Sequence, residues 1–268
     1  MSQYRSIQRN DWTLSVNTER WRDDWWPCIE SLAREHKTDW RNSRHAHSKC
    51  VELPSENKVT TTYIKLYKKS GGVRAIKQRV RESKHRRAFR ITQELREKGF
   101  LVPSIYVCGD TVHDNIYCGL LVTEKLPYID LSQLPGLLDS LSDSQHKEFK
   151  HTLSIALGEQ IGKLHNLGYV HGDLVVTNIL VDPRNPRTVV FIDHDRSTHS
   201  PVLTRKHLQM RNLIQINRHV IDGINHADRL RVFLAYSKAR QWNQSRTKTI
   251  MREVAKRTVK RRLVREQK

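Results

Sequence analysis

Residues 171–182 read HGDLVVTNILVD, and residues 188–197 read TVVFIDHDRS. Each joins a short apolar run to polar residues: Ile179-Leu180-Val181 follows Asn178, and Val189-Val190-Phe191-Ile192 delivers Asp193. Runs of that length and composition are buried strands. Immediately upstream, Phe149, Leu153, Leu157, Ile161 and Leu164 recur at i, i+4, i+8, i+12 and i+15, the apolar face of one long helix. Ser142 and Gln145 have capping-box spacing at its start, and Gly168 closes it. A long helix, a polar loop and two short strands are therefore predicted in that order.

Further upstream the pattern changes to strands. Ser48–Leu53 and Thr60–Tyr67 read as an antiparallel hairpin turning at Pro54-Ser55-Glu56-Asn57, with Lys65 inside the second strand. After Gly71-Gly72 a basic stretch becomes helical by about Arg86 and ends near Gly99, and Ile105–Cys108 with Tyr117–Thr123 make a second strand pair. The first 45 residues read as irregular, and they carry Trp12, Trp21, Trp25, Trp26 and Trp40, whose expected role is packing onto the body.

Phosphoryl transfer asks a protein for a cation on the nucleotide phosphates, oxygen ligands for magnesium, and a carboxylate that takes the proton of the accepting hydroxyl. His171-Gly172-Asp173-Leu174, with Asn178 five residues after Asp173, fits the kinase catalytic-loop pattern H-x-D-L-x-x-x-x-N. Asp173 is then the base, Asn178 and Asp193 are magnesium ligands, and Lys65 is the cation. Singly, each has an ordinary reading: a turn-capping Asp193, an Asn178 bonded to its own loop, a surface Lys65 on an edge strand. Their order and spacing favour the joint reading. Asp195 stays open between a second metal contact and a solvated or Arg-paired neighbour.

The chain has 268 residues and a formal net charge of +20. Residues 65–98 hold 13 basic against 3 acidic groups and residues 237–268 hold 12 against 2, so these two segments account for the whole excess. Such segments attract polyanions: nucleic acid, an anionic membrane leaflet or a phosphorylated glycolipid. The tail has a modest apolar stripe, Met251, Val254, Ala255 and Val259, beside Arg252, Lys256, Arg257 and Lys260, and whether it folds onto the body or lies on a membrane is open. No apolar run approaches a membrane span and no signal peptide is legible, so a cytoplasmic location is expected. Cys28, Cys50, Cys108 and Cys118 have no C-x-x-C spacing and read as reduced thiols.

From Tyr63 to about Tyr236 the sequence resembles the lipopolysaccharide core kinases of the Kdo/WaaP family. The residues that carry the resemblance are YIKLYKK, REKGFLVPSIYVCG, LLVTEKLP, LHNLGYVHGDLVVTNILVD, VVFIDHDRS, RKHLQMRNL and DRLRVFLAY. It implies an α+β, two-lobed protein-kinase-like fold with a small β-rich N-lobe and a larger helical C-lobe. The corresponding division is an N-terminal Trp-rich extension at 1–45, an N-lobe at 46–126, a C-lobe at 127–236 and a basic tail at 237–268. It further implies ATP and Mg2+, a sugar hydroxyl as acceptor, and peripheral contact with the inner face of the inner membrane through the two basic segments. By the same resemblance Lys65 lies on the α- and β-phosphates, Leu180 floors the adenine, Glu124 to Leu126 form the hinge, and His171 is a structural anchor.

Departures from the protein-kinase pattern are equally plain. Gly172 stands where H-R-D has arginine, Val175 where a lysine usually follows the base by two, and Asp195 where D-F-G has glycine. No G-x-G-x-x-G precedes Lys65, and RNSRHAHSK, with Arg41, Arg44, His45 and His47, occupies that place. The glutamate expected to pair with Lys65 falls near Ala88 or Arg90, leaving Glu82 and Glu94 as the nearest acids. An atypical protein or small-metabolite kinase, and an inactive kinase-like scaffold with a polyanion-binding tail, are the alternatives.

Overall fold

A computed structural model describes residues 3–35, 38–55, 58–69, 82–111, 117–200 and 206–266. The chain divides into two units, Met1–Glu97 with Pro103–Leu126, and Lys98–Val102 with Pro127–Lys268.

The first unit is built from β1 (Tyr4–Arg9), β2 (Trp12–Asn17), α1 (Trp26–Arg34), β3 (Arg41–Asn42), β4 (Ala46–Ser55), β5 (Lys58–Lys68), α2 (Lys84–Glu97), β6 (Ile105–Thr111) and β7 (Tyr117–Glu124). Its seven strands form one antiparallel sheet in the order β1-β2-β6-β7-β5-β4-β3. Both faces are covered. Ile64 and Leu66 of β5 join Trp12, Trp25, Trp26 and Trp40 in one apolar layer, whereas Tyr67 packs with Ala88 of α2 and with Cys108 and Leu121 in the other. The five tryptophans are core residues, each large enough that its burial contributes about 1.5–3 kcal/mol.

Two sequence expectations change here. The first 45 residues contain a hairpin, β1–β2, that lies along β6. Half of it carries the strand period, since Trp12, Leu14 and Val16 of β2 alternate inward, whereas β1 is an edge strand whose Arg5, Ser6 and Gln8 face solvent and has no apolar alternation. Its turn sits at Asn10, in the left-handed region at φ 48°. The β4–β5 hairpin is also longer than expected: Pro54 and Ser55 pair with Val59 and Lys58 instead of turning. Glu56 and Asn57 lie outside the described residues, as do 70–81 of the first basic segment.

The second unit contains β8 (Ile129–Asp130), α3 (Leu134–Asp139), α4 (Asp143–Asn166), β9 (Tyr169–Val170), β10 (Ile179–Asp182), β11 (Asn185–Phe191), β12 (Thr198–His199), α5 (Lys206–Arg218), α6 (His226–Ala239) and α7 (Gln244–Glu266). The helix α4 starts where its capping box places it, with Gln145 Oε1 accepting from the Ser142 N–H at 3.2 Å. It packs against α6 at very short range, because a Cβ on Gly158 would lie 2.2 Å from the Val232 carbonyl oxygen.

The basic tail is helical and docked. Val254 and Thr258 of α7 are buried, Asn217 donates to Thr258 Oγ1 at 3.1 Å, and Arg262 donates to the carbonyls of Asn217 (2.8 Å) and Arg218 (3.1 Å). A cation capping the C-terminal carbonyls of α5 also opposes the negative end of its dipole. Arg252, Lys256, Arg257 and Lys260 remain exposed. Among the described residues no helix is long and apolar enough to cross a membrane.

Candidate active site

The β10–β11 hairpin fixes two of the singled-out residues. Its register, Ile179 opposite Phe191 and Leu180 opposite Val190, sets Asn178 and Asp193 at the same end, and the Ile192 N–H closes that end on the Asn178 carbonyl at 3.0 Å. The loop that enters β10 is tied to this end. Asn178 Nδ2 donates to the Asp173 carbonyl at 3.0 Å, and His171 Nε2 donates to the Ile192 carbonyl at 2.8 Å. His171 Nδ1 is then the acceptor, 3.4 Å from the Asp173 N–H. Burial pushes the His171 pKa down, against the Ile192 carbonyl and the nearby aspartates, so its ring stays neutral.

Asp173 itself is held from two sides. Gln215 Nε2 lies 3.3 Å from Oδ1, and Arg196 Nη1 lies 3.3 Å from Oδ2. Gln215 belongs to a buried polar chain along one face of α5. Its Oε1 accepts from Asn212 Nδ2 (3.0 Å) and from the Leu174 N–H (3.3 Å), while Asn212 Oδ1 accepts from the His171 N–H (3.1 Å) and from His165 Nε2 (3.2 Å). His165 Nδ1 faces Tyr236 Oη at 3.0 Å, and Gln209 Nε2 donates to the His165 carbonyl at 3.2 Å. Burial drives the His165 pKa down to about 3, which keeps it neutral in this chain.

Sequence reasoning passed over Gln209, Asn212 and Gln215. Their signal was available: three amides at i, i+3 and i+6 share one face of α5, whose other sides bury Leu213 and Ile214, and buried amides require partners.

Beyond β11, Asp193 adopts the left-handed conformation, φ 65° and ψ 61°. That costs a non-glycine residue about 1–3 kcal/mol and persists only where the surroundings hold it. The following 3-10 turn, His194–Arg196, supplies the hold. His194 Nε2 donates to the Phe191 carbonyl at 3.1 Å, and the Ser197 hydroxyl stands between His194 Nδ1 (3.0 Å) and the His171 carbonyl (2.9 Å). Burial takes the His194 pKa to about 3. Asp193 is exposed, whereas Asp195 is buried within the turn.

In the first unit, Lys65 sits on an interior strand of the sheet, opposite Ser48 on β4 and Leu121 on β7, with its ammonium 5.1 Å from the Tyr67 ring centre. The carboxylate of Glu82 is taken up by Arg90 (2.8 Å) and Arg87 (3.7 Å), and Glu94 accepts from Arg90 at 2.6 Å. At the end of β7, the N–H groups of Glu124 and Lys125 donate to the carbonyls of Ser104 (2.8 Å) and Thr61 (3.2 Å). Leu126 is the last residue of the unit. Leu180, half-buried, lies in the second unit between Asp130 of β8 and Val190 of β11.

The sequence signature described as Lipopolysaccharide kinase (Kdo/WaaP) family matches residues 55–236. The chain belongs to that family. This Kdo/WaaP member is also similar to the EKC/KEOPS complex subunit bud32 of Dictyostelium discoideum, 31% identical over 110 residues, 39% of this chain and 40% of that protein. A probable bifunctional tRNA threonylcarbamoyladenosine biosynthesis protein of Methanosarcina barkeri is 32% identical over 106 residues, 40% of this chain and 15% of that protein. The matched stretch thus spans two fifths or less of these curated relatives. Among solved structures, that of WaaP in complex with acyl carrier protein superposes with a TM-score of 0.60 at 17% identity, covering 88% of this chain and 94% of that one. The α+β, protein-kinase-like fold is therefore shared.

Kinases of this kind generally use ATP and Mg2+, and the residues of this Kdo/WaaP chain fit the ion. Asn178 has committed its Nδ2 to the Asp173 carbonyl, which leaves its Oδ1 as a ligand, and Asp193 presents a carboxylate at the same end of the hairpin. One or two oxygen side chains suffice for an ion that brings phosphate and water ligands with it.

Proposed function

We propose that the protein is an ATP-dependent kinase that phosphorylates a sugar hydroxyl, of Kdo or heptose, on a lipopolysaccharide-core-type glycolipid. The observation that carries this reading is the grouping of Asp173, Asn178 and Asp193 at one end of the β10–β11 hairpin, in a member of a family that bears that substrate's name. The acceptor O–H loses its proton to the Asp173 carboxylate and its oxygen bonds to the γ-phosphorus. The bond from that phosphorus to the β,γ-bridging oxygen breaks, and ADP leaves. Asn178 and Asp193 would hold Mg2+, which when bound would neutralise phosphate charge. Lys65 is assigned to the α- and β-phosphates, Leu180 to the adenine face, and His171 to anchoring the loop. In the hinge Glu124 to Leu126, Glu124 and Lys125 have already committed their N–H groups, so a backbone donor to adenine falls to Leu126.

The exposed Arg252, Lys256, Arg257 and Lys260 of α7 suit an anionic leaflet or the phosphates of the glycolipid, which supports a peripheral place on the cytoplasmic face of the inner membrane. Nucleic acid is the weaker partner class. A second reading, an atypical protein kinase, is favoured by the 31% identity to the bud32 subunit. The test is transfer of labelled γ-phosphate from Mg·ATP to a Kdo-containing glycolipid and, separately, to a protein mixture. Label on the glycolipid is expected. Label on protein alone would replace the first reading by the second.

A further inference from the structure

We propose that Arg196 is a further catalytic residue, whose guanidinium turns from Asp173 to grip the transferring phosphoryl group of ATP in place of the lysine that Val175 replaces. The inference rests on the kinase reading above and deepens it.

Three observations support it. First, Arg196 Nη1 lies 3.3 Å from Asp173 Oδ2, so a permanent cation stands beside the candidate base. One of its five N–H donors is used there, and the rest of the fork can meet a phosphoryl oxygen in the geometry arginine shares with phosphate. Second, the ion pair is a poor stability device. The two side chains are 45% and 33% exposed, and pairs of that kind contribute little to folding, so substrate can exchange the contact at small cost.

Third, the backbone of Arg196 is fixed where Gly172 leaves room for it. A Cβ at residue 172 would lie 2.2 Å from the Arg196 carbonyl oxygen and 3.1 Å from its Cβ, and Gly172 itself has φ +77°. An arginine in the middle of H-x-D therefore cannot be accommodated. The space it would need holds the turn His194–Arg196, which His194 and Ser197 pin to Phe191 and His171. The absence of a side chain at 172, the absence of a lysine at 175 and the presence of Arg196 are thus one arrangement: the positive charge is delivered from the turn after Asp193 instead of from the loop.

During transfer the charge develops on the non-bridging oxygens of the γ-phosphoryl group, and a donor aimed at developing charge raises kcat without tightening ground-state binding. Arg196→Ala is expected to lower kcat for ATP turnover about 10²–10³-fold, the usual effect of removing one such donor, with KM for ATP nearly unchanged. Because Arg196 is exposed, its loss leaves the unfolding midpoint in place, and added guanidinium ion restores part of the rate.

The deciding experiment measures binding of Mg·ADP with and without fluoroaluminate, which mimics the phosphoryl group in flight, by titration calorimetry on the full chain. Wild type is expected to bind tighter with fluoroaluminate, and Arg196→Ala to lose that gain while holding ADP as wild type does; Arg196→Lys keeps part of it. An equal gain in Arg196→Ala overturns the assignment and leaves the kinase reading intact. A change confined to KM for the glycolipid also overturns it, placing Arg196 on the acceptor. A wild type that binds no nucleotide overturns the kinase reading itself.

Discussion

Lys65 and Asp173 are proposed for the same reaction, yet they are held in opposite ways. Lys65 stands on an interior strand, its position set by backbone pairing to β4 and β7 and by the alternation of Ile64 and Leu66 into the apolar layer. Asp173 stands on a loop without regular structure, its position set by side chains: Gln215, Asn212, His171 and Asn178. A strand keeps its register when one side chain changes, because the ladder is made of main chain. A buried polar chain has no such reserve, since each lost partner strands another donor or acceptor away from water.

The contrast is broken most severely at Asn212. Replacing it by leucine removes the acceptor shared by His165 and the His171 N–H and the donor to Gln215. An unsatisfied buried polar group costs about 1–3 kcal/mol, so a loss of about 3 kcal/mol in the second unit is expected by chemical denaturation. A loss below about 0.5 kcal/mol would show that the chain of amides does not hold the loop.

Acidification probes the same side without mutation. Burial lowers the folded pKa of His165 and His194 from the ordinary imidazole value of 6.5 to about 3, so the unfolded chain binds more protons between those limits. Stability is therefore full above pH 6.5 and falls as pH drops toward 3, by up to about 1.4 kcal/mol per pH unit for each histidine. Thermal unfolding at stepped pH checks this. A midpoint that does not move between pH 7 and 5 would contradict the neutral buried rings.

Smaller effects on folding belong to the strand side. Lys65→Met is expected to change stability by less than about 1 kcal/mol while reducing phosphate transfer at least about 10²-fold, separating placement from chemistry. Smallest is Glu82→Gln. It weakens an exposed pair with Arg90 worth about 0–1 kcal/mol and should leave transfer as in wild type; a large loss of transfer would give Glu82 a part in the reaction.

The same difference explains what the sequence made legible. The strand bearing Lys65, the helix α4 with its capping box, and the runs before Asp193 and after Asn178 are periodic, and period is visible in a single chain. In the β1–β2 hairpin only β2 carries that period, with Trp12, Leu14 and Val16 facing inward; the edge strand β1 is polar and aperiodic, so the pairing of the two was not legible. Asp173, Asn178 and Asp193 could be named because a loop pattern fixes their spacing. Gln215 and Arg196 could not, because they reach Asp173 from 42 and 23 residues away, and only the fold brings them there. The tail illustrates a third case. Its charge was evident, but its docking depends on Thr258 and Arg262 meeting the end of α5, contacts that no pattern within the tail encodes.

The most direct test of the kinase reading is ATP turnover and phosphate transfer by wild type and Asp173→Asn, measured beside nucleotide affinity for both. Asparagine keeps the size of the side chain and an acceptor for Gln215 but cannot take the proton. The expected result is a fall in transfer of about 10²–10⁴-fold, the usual contribution of a general base, with ATP affinity little changed. Equal transfer by the two proteins would contradict the role given to Asp173 and with it the chemistry assigned to the site.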